Sequence, residues 1–246
     1  MSDLLKGRLA LVTGASRGIG RATAVALAEA GAHVIALART VGALEDLDDE
    51  IRAKGGTASL VPLDIKDGEG IDRLGYTLFE RYGKLDILIG NAGALGSISP
   101  LGHLEPKDWD NVLAVNVTAN WRLIRSFDPL LRKSDAGRAI FITSGAAWKS
   151  TAYWGLYATT KAALNSLVAT YAAETVNSTV RANLFSPGPV RTHMRAAAMP
   201  GEDANSLPHP TAIAPSILLL ASPELTETGQ IYDMREGKFI SFRSPE

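Results

Sequence analysis

Residues 8–31 read RLALVTGASRGIGRATAVALAEAG. Arg8 to Val12 is a short apolar run, Thr13 to Gly20 is the turn TGASRGIG, and Ile19 to Ala30 carries apolar residues at helical spacing. A buried strand that passes through a glycine turn into a helix opens a βαβ unit. Gly14, Gly18 and Gly20 permit a tight turn, and they let a pyrophosphate approach the backbone N–H groups at the helix N-terminus. The spacing is GxxxGxG and not the usual GxGxxG, so a tight turn without ligand fits this stretch equally well when it is taken alone. No lysine follows the last glycine, which excludes a P-loop.

The same alternation continues along the chain. Strands are expected at His33 to Ala38, Thr57 to Val61, Leu85 to Gly90, Arg138 to Thr143 and Val180 to Phe185, with a weaker one at Gln230 to Asp233. Helices are expected at Val41 to Ala53, Gly70 to Tyr82, Lys107 to Lys133, Leu156 to Val176 and Ala212 to Leu220. Leu44, Leu47 and Ile51 recur at helical spacing, and the acids between them read as a solvated face. The pattern predicts an α/β protein with a Rossmann-type, doubly wound parallel sheet flanked by helices, in one domain spanning 1–246. His193 to Pro210 reads as a mobile loop, within a substrate loop at about 190–209.

Composition narrows the partners. The 246 residues hold 25 basic and 26 acidic side chains, a net charge of -1, which offers nothing to nucleic acid or an anionic membrane. A small molecule is the expected partner. Without cysteine there is no disulfide or thiolate, and His33, His103, His193 and His209 lack ligand spacing, so no metal site is expected. The N-terminus has no leader-like segment and no stretch approaches membrane-spanning length, from which a cytoplasmic location is expected. Asn116-Val117-Thr118 and Asn177-Ser178-Thr179 match the glycosylation pattern by chance on that expectation.

The second strand ends in Ala38 and Arg39, where an NAD-specific protein of this type offers an acid to the ribose. A lone Arg39 could equally cap a strand end in solvent. The missing acid favours NADP(H) over NAD(H), with Arg39 and Arg17 pairing with the 2′-phosphate. Downstream, Tyr157 and Lys161 stand at i and i+4 on one helix face, whereas Tyr153 lies outside that relation. A nearby ammonium favours phenolate, so Tyr157 becomes a usable proton donor or acceptor. Ser144, thirteen residues earlier, ends the fifth strand, and Asn116 lies inside a long helix. For Asn116 a satisfied polar residue in a helix kink, and for Ser144 a strand-end cap, remain the plain alternatives.

Taken in order, TGASRGIG, Asp64, Asn91-Ala92-Gly93, Asn116, Ser144, Tyr157-x-x-x-Lys161 and Pro187-Gly188 followed by Thr192 resemble the short-chain dehydrogenase/reductase family over nearly the whole chain. The resemblance implies Asn116, Ser144, Tyr157 and Lys161 as the catalytic set. Ser144 would hold the substrate oxygen, Lys161 would also contact the nicotinamide ribose, and Asn116 would hold a water that relays the proton. It implies Gly14, Ser16, Arg17, Gly18, Ile19 and Gly20 around the pyrophosphate, and Asp64 with Ile65 at the adenine. Asn91, Ala92 and Gly93 would lie at the ribose, and Pro187, Gly188, Val190 and Thr192 at the carboxamide.

The implied function is hydride transfer between NADP(H) and a carbonyl or secondary alcohol. Two alternatives are a dinucleotide-binding sensor or scaffold, against which the intact catalytic set argues, and a relative with another net reaction such as enoyl reduction or epimerisation. The loops Ala94 to Leu104, Gly145 to Trp154 and Val190 to Leu207 should set substrate choice. Their Trp148, Tyr153, Trp154 and Met194, beside Ser144 and Tyr157, suggest an apolar or amphipathic carbonyl compound. The tail at 234–246 carries Phe239, Ile240 and Phe242, expected to cover a subunit interface or a neighbour's pocket in a homo-oligomer, a dimer or tetramer.

Overall fold

The computed structural model describes residues 3–241. Strand β1 (Leu9–Thr13) enters α1 (Gly18–Glu29), followed by β2 (His33–Ala38), α2 (Val41–Ala53), β3 (Thr57–Pro62), α3 (Gly68–Tyr82) and β4 (Ile87–Gly90). The second half runs α4 (Pro106–Leu113), α5 (Ala119–Leu131), β5 (Arg138–Ile142), α6 (Gly155–Glu174), β6 (Arg181–Ser186), α7 (His193–Ala198), α8 (Ala214–Ala221), β7 (Gln230–Asp233) and β8 (Lys238–Ser241). The sheet order is β3-β2-β1-β4-β5-β6-β7-β8, parallel through β7, with β8 antiparallel. The order reverses between β1 and β4, the place where α/β sheets open a crevice at the strands' carboxyl ends.

The strands read as unbroken apolar runs because both of their faces are covered. Ala10, Val12, Val34, Ala36, Ile87, Ile89 and Ile140 point to the layer of α1, α2 and α8. Their neighbours Leu9, Leu11, Ile35, Leu37, Leu88 and Phe141 meet α3, α5 and α6. Arg138, at the amino end of the internal strand β5, ties that end of the sheet to the segments before β6 and after α8. Its buried guanidinium donates to five carbonyl oxygens, those of Gly137, Thr179, Ser222, Pro223 and Leu225, at 2.6 to 3.3 Å. Burial lowers its pKa to about 10, so it stays charged at neutral pH.

Two sequence expectations are corrected, that of one helix over Lys107 to Lys133 and that of a wholly solvated acid run, and two other segments gain detail. The helix expected at Lys107 to Lys133 is α4 and α5 joined by a π-turn, Ala114–Thr118, which contains Asn116. The mobile loop expected at His193 to Pro210 contains α7, capped by the Thr192 side chain, and a two-pronged Arg195–Glu202 ion pair. Asp48 in the acid run is buried and pairs with Arg52 at 2.7 Å, so not all of that run is solvated. The start of the tail folds back as β8, with Phe239 against Tyr232, ring centroids 5.1 Å apart. Phe242 lies outside the described residues. No helix among the described residues is long and apolar enough to cross a membrane.

Candidate active site

Every residue expected at the site lies at or beyond the carboxyl ends of the strands, or on α1, α6, α7 and the π-turn. The first structural device is Thr13, which sequence reasoning passed over because a threonine ending a strand carries no distinctive spacing. Its buried hydroxyl donates to Ile89 O at 3.0 Å and accepts from the N–H groups of Asn91 and Ala92 at 2.9 and 3.1 Å. Asn91 Nδ2 returns a bond to Thr13 O at 2.8 Å. These bonds sew the turn after β4 to the turn after β1.

Gly14 has φ +65° and Gly18 φ +57°, a region that side chains rarely tolerate. A Cβ on Gly20 would collide with Gly14 O and Asn91 Nδ2, so the helix can start this close to the strand only with glycine there. No side chain caps α1 at Arg17, which leaves its first N–H groups for a ligand. The cradle therefore fits a pyrophosphate. The segment after β6 approaches it, because a Cβ on Gly18 would stand 3.4 Å from Thr192 Cγ2.

Arg39 and Asp64 end neighbouring strands, with Arg39 Nη1 3.9 Å from Asp64 Oδ2 and the arginine largely exposed. An exposed pair of this kind is worth about 0–1 kcal/mol, so a phosphate can recruit the guanidinium at little cost. Ile65 is buried beneath, while Arg17 and Ser16 border the turn. Gly188 has φ +69°, and the aliphatic stem of Arg235 packs where its Cβ would be. Pro187 and Val190 are buried beside it. Arg235 comes from the β7–β8 turn, and no local motif in the sequence signalled that approach.

Two of the four residues expected to catalyse, Asn116 and Lys161, meet at Gly93, and Tyr157 lies beside Lys161 and Ser144. A Cβ placed on Gly93 would stand 3.5 Å from Asn116 Oδ1 and 3.9 Å from Lys161 Nζ. Tyr157 and Lys161 lie on the first two turns of α6, both buried, with Nζ 5.7 Å from the centre of the phenol ring. The ammonium donates to Ile142 O at 2.7 Å. Burial pulls the Lys161 pKa down to about 8. Burial also pushes the Tyr157 phenol up to about 12, and the adjacent Ser144 hydroxyl offsets only part of that rise. The expectation that Lys161 draws the phenol downward is thus not met: burial sets the direction, and the part of the rise that is offset comes from Ser144.

Ser144 follows β5 by two residues and caps the short 3₁₀ turn Gly145–Ala147 through Ala146 N at 3.2 Å. Asn116 gives both of its amide hydrogens to Ala94 O and Thr160 Oγ1. Around the mouth, the Trp154 ring meets Tyr157 edge-on at 6.1 Å. Trp148 and Tyr153 are exposed, Trp148 reaching back over Gly145. Tyr153 has φ +71°, and its carbonyl accepts from Ser99 N at 3.1 Å, tying two of the expected substrate loops together. Met194 is half-buried on α7.

Comparison with known proteins agrees with this geometry. The sequence model of the short chain dehydrogenase family matches residues 8–203. The uncharacterized oxidoreductase YciK of Escherichia coli K12 is 36% identical over 240 residues, 96% of this chain and 95% of YciK. The 3-oxoacyl-[acyl-carrier-protein] reductase of Vibrio harveyi is 31% identical over 245 residues, 96% of this chain and 99% of its own. Among solved structures, a Shigella flexneri 2a short chain dehydrogenase complexed with NADP superposes with a TM-score of 0.92 at 36% identity, covering 96% of this chain and 100% of that one. One from E. coli CFT073 complexed with NADPH gives 0.91 at 37% identity, covering 95% and 98%.

Proposed function

The chain belongs to the short-chain dehydrogenase family, and from that premise we propose that it is an NADP(H)-dependent oxidoreductase acting on a carbonyl or secondary alcohol, with Tyr157 as general acid and base. The observation that carries this reading is a buried phenol beside Ser144, with the buried Lys161 ammonium 5.7 Å from its ring centre and next to Gly93. A protein that only binds the dinucleotide has no use for a general acid at Tyr157.

The dinucleotide, when bound, supplies or accepts the hydride. Tyr157 holds its proton at neutral pH and gives it to the carbonyl oxygen during reduction. Ser144 donates to the same oxygen and stabilises charge as it develops there. Lys161, over the phenol face, offsets the phenolate left behind and reaches toward the ribose. Asn116, with both side-chain hydrogens committed, shapes the wall along which a proton leaves. Gly14 to Gly20 would hold the pyrophosphate, Asp64 and Ile65 would border the adenine, Asn91 to Gly93 the ribose, and Pro187 to Thr192 the carboxamide.

Trp148, Tyr153, Trp154 and Met194, on the loops expected to set substrate choice, favour an apolar or amphipathic carbonyl substrate. A soluble homo-oligomer in the cytoplasm, with a small-molecule substrate, completes the reading. Two complexes of similar proteins with NADP and NADPH support the cofactor. NADPH is expected to bind at least about tenfold tighter than NADH, and Arg39→Ala to remove most of that gap by weakening NADPH alone. Fluorescence titration of both dinucleotides measures it; equal affinities in the unmutated protein would reverse the assignment. A panel of ketones, acyl thioesters, sugars and steroids at fixed NADPH, read as loss of reduced-nicotinamide absorbance, then tests the activity.

A further inference from the structure

Thr160, one residue before Lys161, is fully buried, and the proton transfer described above does not use it. Its hydroxyl donates to Tyr157 O at 2.8 Å and accepts from Asn116 Nδ2 at 2.9 Å. The second hydrogen of that amide goes to Ala94 O at 2.9 Å, and Asn116 Oδ1 accepts from Ala94 N at 2.8 Å. Asn116 is also fully buried, so neither hydrogen has water as a substitute. A hydroxyl whose proton is committed to Tyr157 can meet Asn116 only as acceptor, which fixes the orientation of the amide and with it the backbone after β4.

π-turns interrupt the regular helical ladder and are often found at functional sites. The side-chain bonds reaching out from the turn at Asn116 run to Ala94 and Thr160. We infer that Thr160 is a positioning residue, whose hydroxyl locks the Asn116 turn and the loop after β4 to the backbone of Tyr157. The inference rests on the function proposed above. Gly93 lies between Asn116 and Lys161, so slack between the π-turn and α6 would open the space where the ammonium ends. The cradle would not loosen with it, because Thr13 and Asn91 hold that part through bonds that bypass Thr160.

Thr160→Val keeps the shape and removes the hydroxyl, whereas Thr160→Ser keeps the hydroxyl and removes the methyl. Since an orphaned buried N–H costs about 1–3 kcal/mol, the valine variant is expected to lose about ten- to a hundredfold in kcat, with NADPH affinity within about twofold. The serine variant should stay within about threefold of the parent. Hydrogen exchange provides a readout independent of turnover: the Ala94 amide should exchange at least about tenfold faster in the valine variant and unchanged in the serine variant. If valine disturbs folding, Thr160→Ala, which cannot overpack, must give the same pattern.

Unaltered kcat and Ala94 exchange in the valine variant would overturn the inference. Equal losses in the valine and serine variants would overturn it too, by making the loss independent of the hydroxyl. If the parent reduces no carbonyl, the proposed function fails, while Ala94 exchange still decides whether the lock exists.

Discussion

Tyr157→Phe is expected to lower carbonyl reduction by about 10²- to 10⁴-fold while leaving NADPH affinity within about twofold, because it removes the proton donor and little else. The phenyl ring still fills the buried place beside Trp154, so the packing of α6 is retained. The phenol, at about 12, carries its proton across the neutral range, which suits it to protonate a carbonyl oxygen. The pH profile should follow the neighbour instead. Lys161 ionises near 8 in the chain without cofactor, so reduction should decline as pH rises through that region and the ammonium is lost. Steady-state kinetics of the parent and variant over pH 6 to 10, roughly the range that brackets this ionisation, checks both statements. Turnover retained in the phenylalanine variant would mean that another group supplies the proton.

Lys161→Met should move activity and stability in opposite directions. Turnover is expected to fall by at least about a hundredfold, since nothing then offsets the phenolate. The cofactor-free protein should nevertheless become more stable at pH 7. The folded pKa of about 8 lies below the ordinary value of 10.5, so between these the unfolded chain holds a proton that the folded chain has released. Stability therefore rises with pH across that window, and below it the folded protein carries the full cost of a buried charge, about 3 kcal/mol. Methionine removes that cost but leaves Ile142 O without its donor, which costs about 1–3 kcal/mol, for a net gain of about 0–2 kcal/mol at pH 7. By pH 10 most of the gain should be gone. The buried Tyr157 phenol, pushed up to about 12, keeps its proton in the folded protein at both pH values and so drops out of the difference. Urea unfolding at the two pH values measures it, and a gain that does not change with pH would contradict the account.

How far the sequence could be read depended on how local each determinant is. β2, α2 and β7 were delimited to the residue, because their apolar spacing and flanking residues act within one element. The pairing of Tyr157 with Lys161 was legible for the same reason, since helical geometry alone puts i and i+4 on one face. The π-turn at Asn116 was not, because its side-chain partners Ala94 and Thr160 lie 22 and 44 residues away. Order within residues 193–210 depends on Arg195 meeting Glu202, and the place of Arg235 depends on β8 folding back on β7. The direction of the Tyr157 shift was missed because charge was weighed and burial could not be; a spacing pattern shows a neighbour's sign but not how much water surrounds it.

The central proposal is that hydride passes between NADPH and a carbonyl carbon while Tyr157 handles the proton. The most direct measurement uses NADPH bearing deuterium at the transferable position of the nicotinamide, with mass spectrometry of the product formed from a carbonyl substrate. The expected result is one deuterium on the carbinol carbon and none retained on the new hydroxyl, whose hydrogen comes from solvent. Deuterium at a former carbon–carbon double bond, or oxidised cofactor without label in any product, would contradict it.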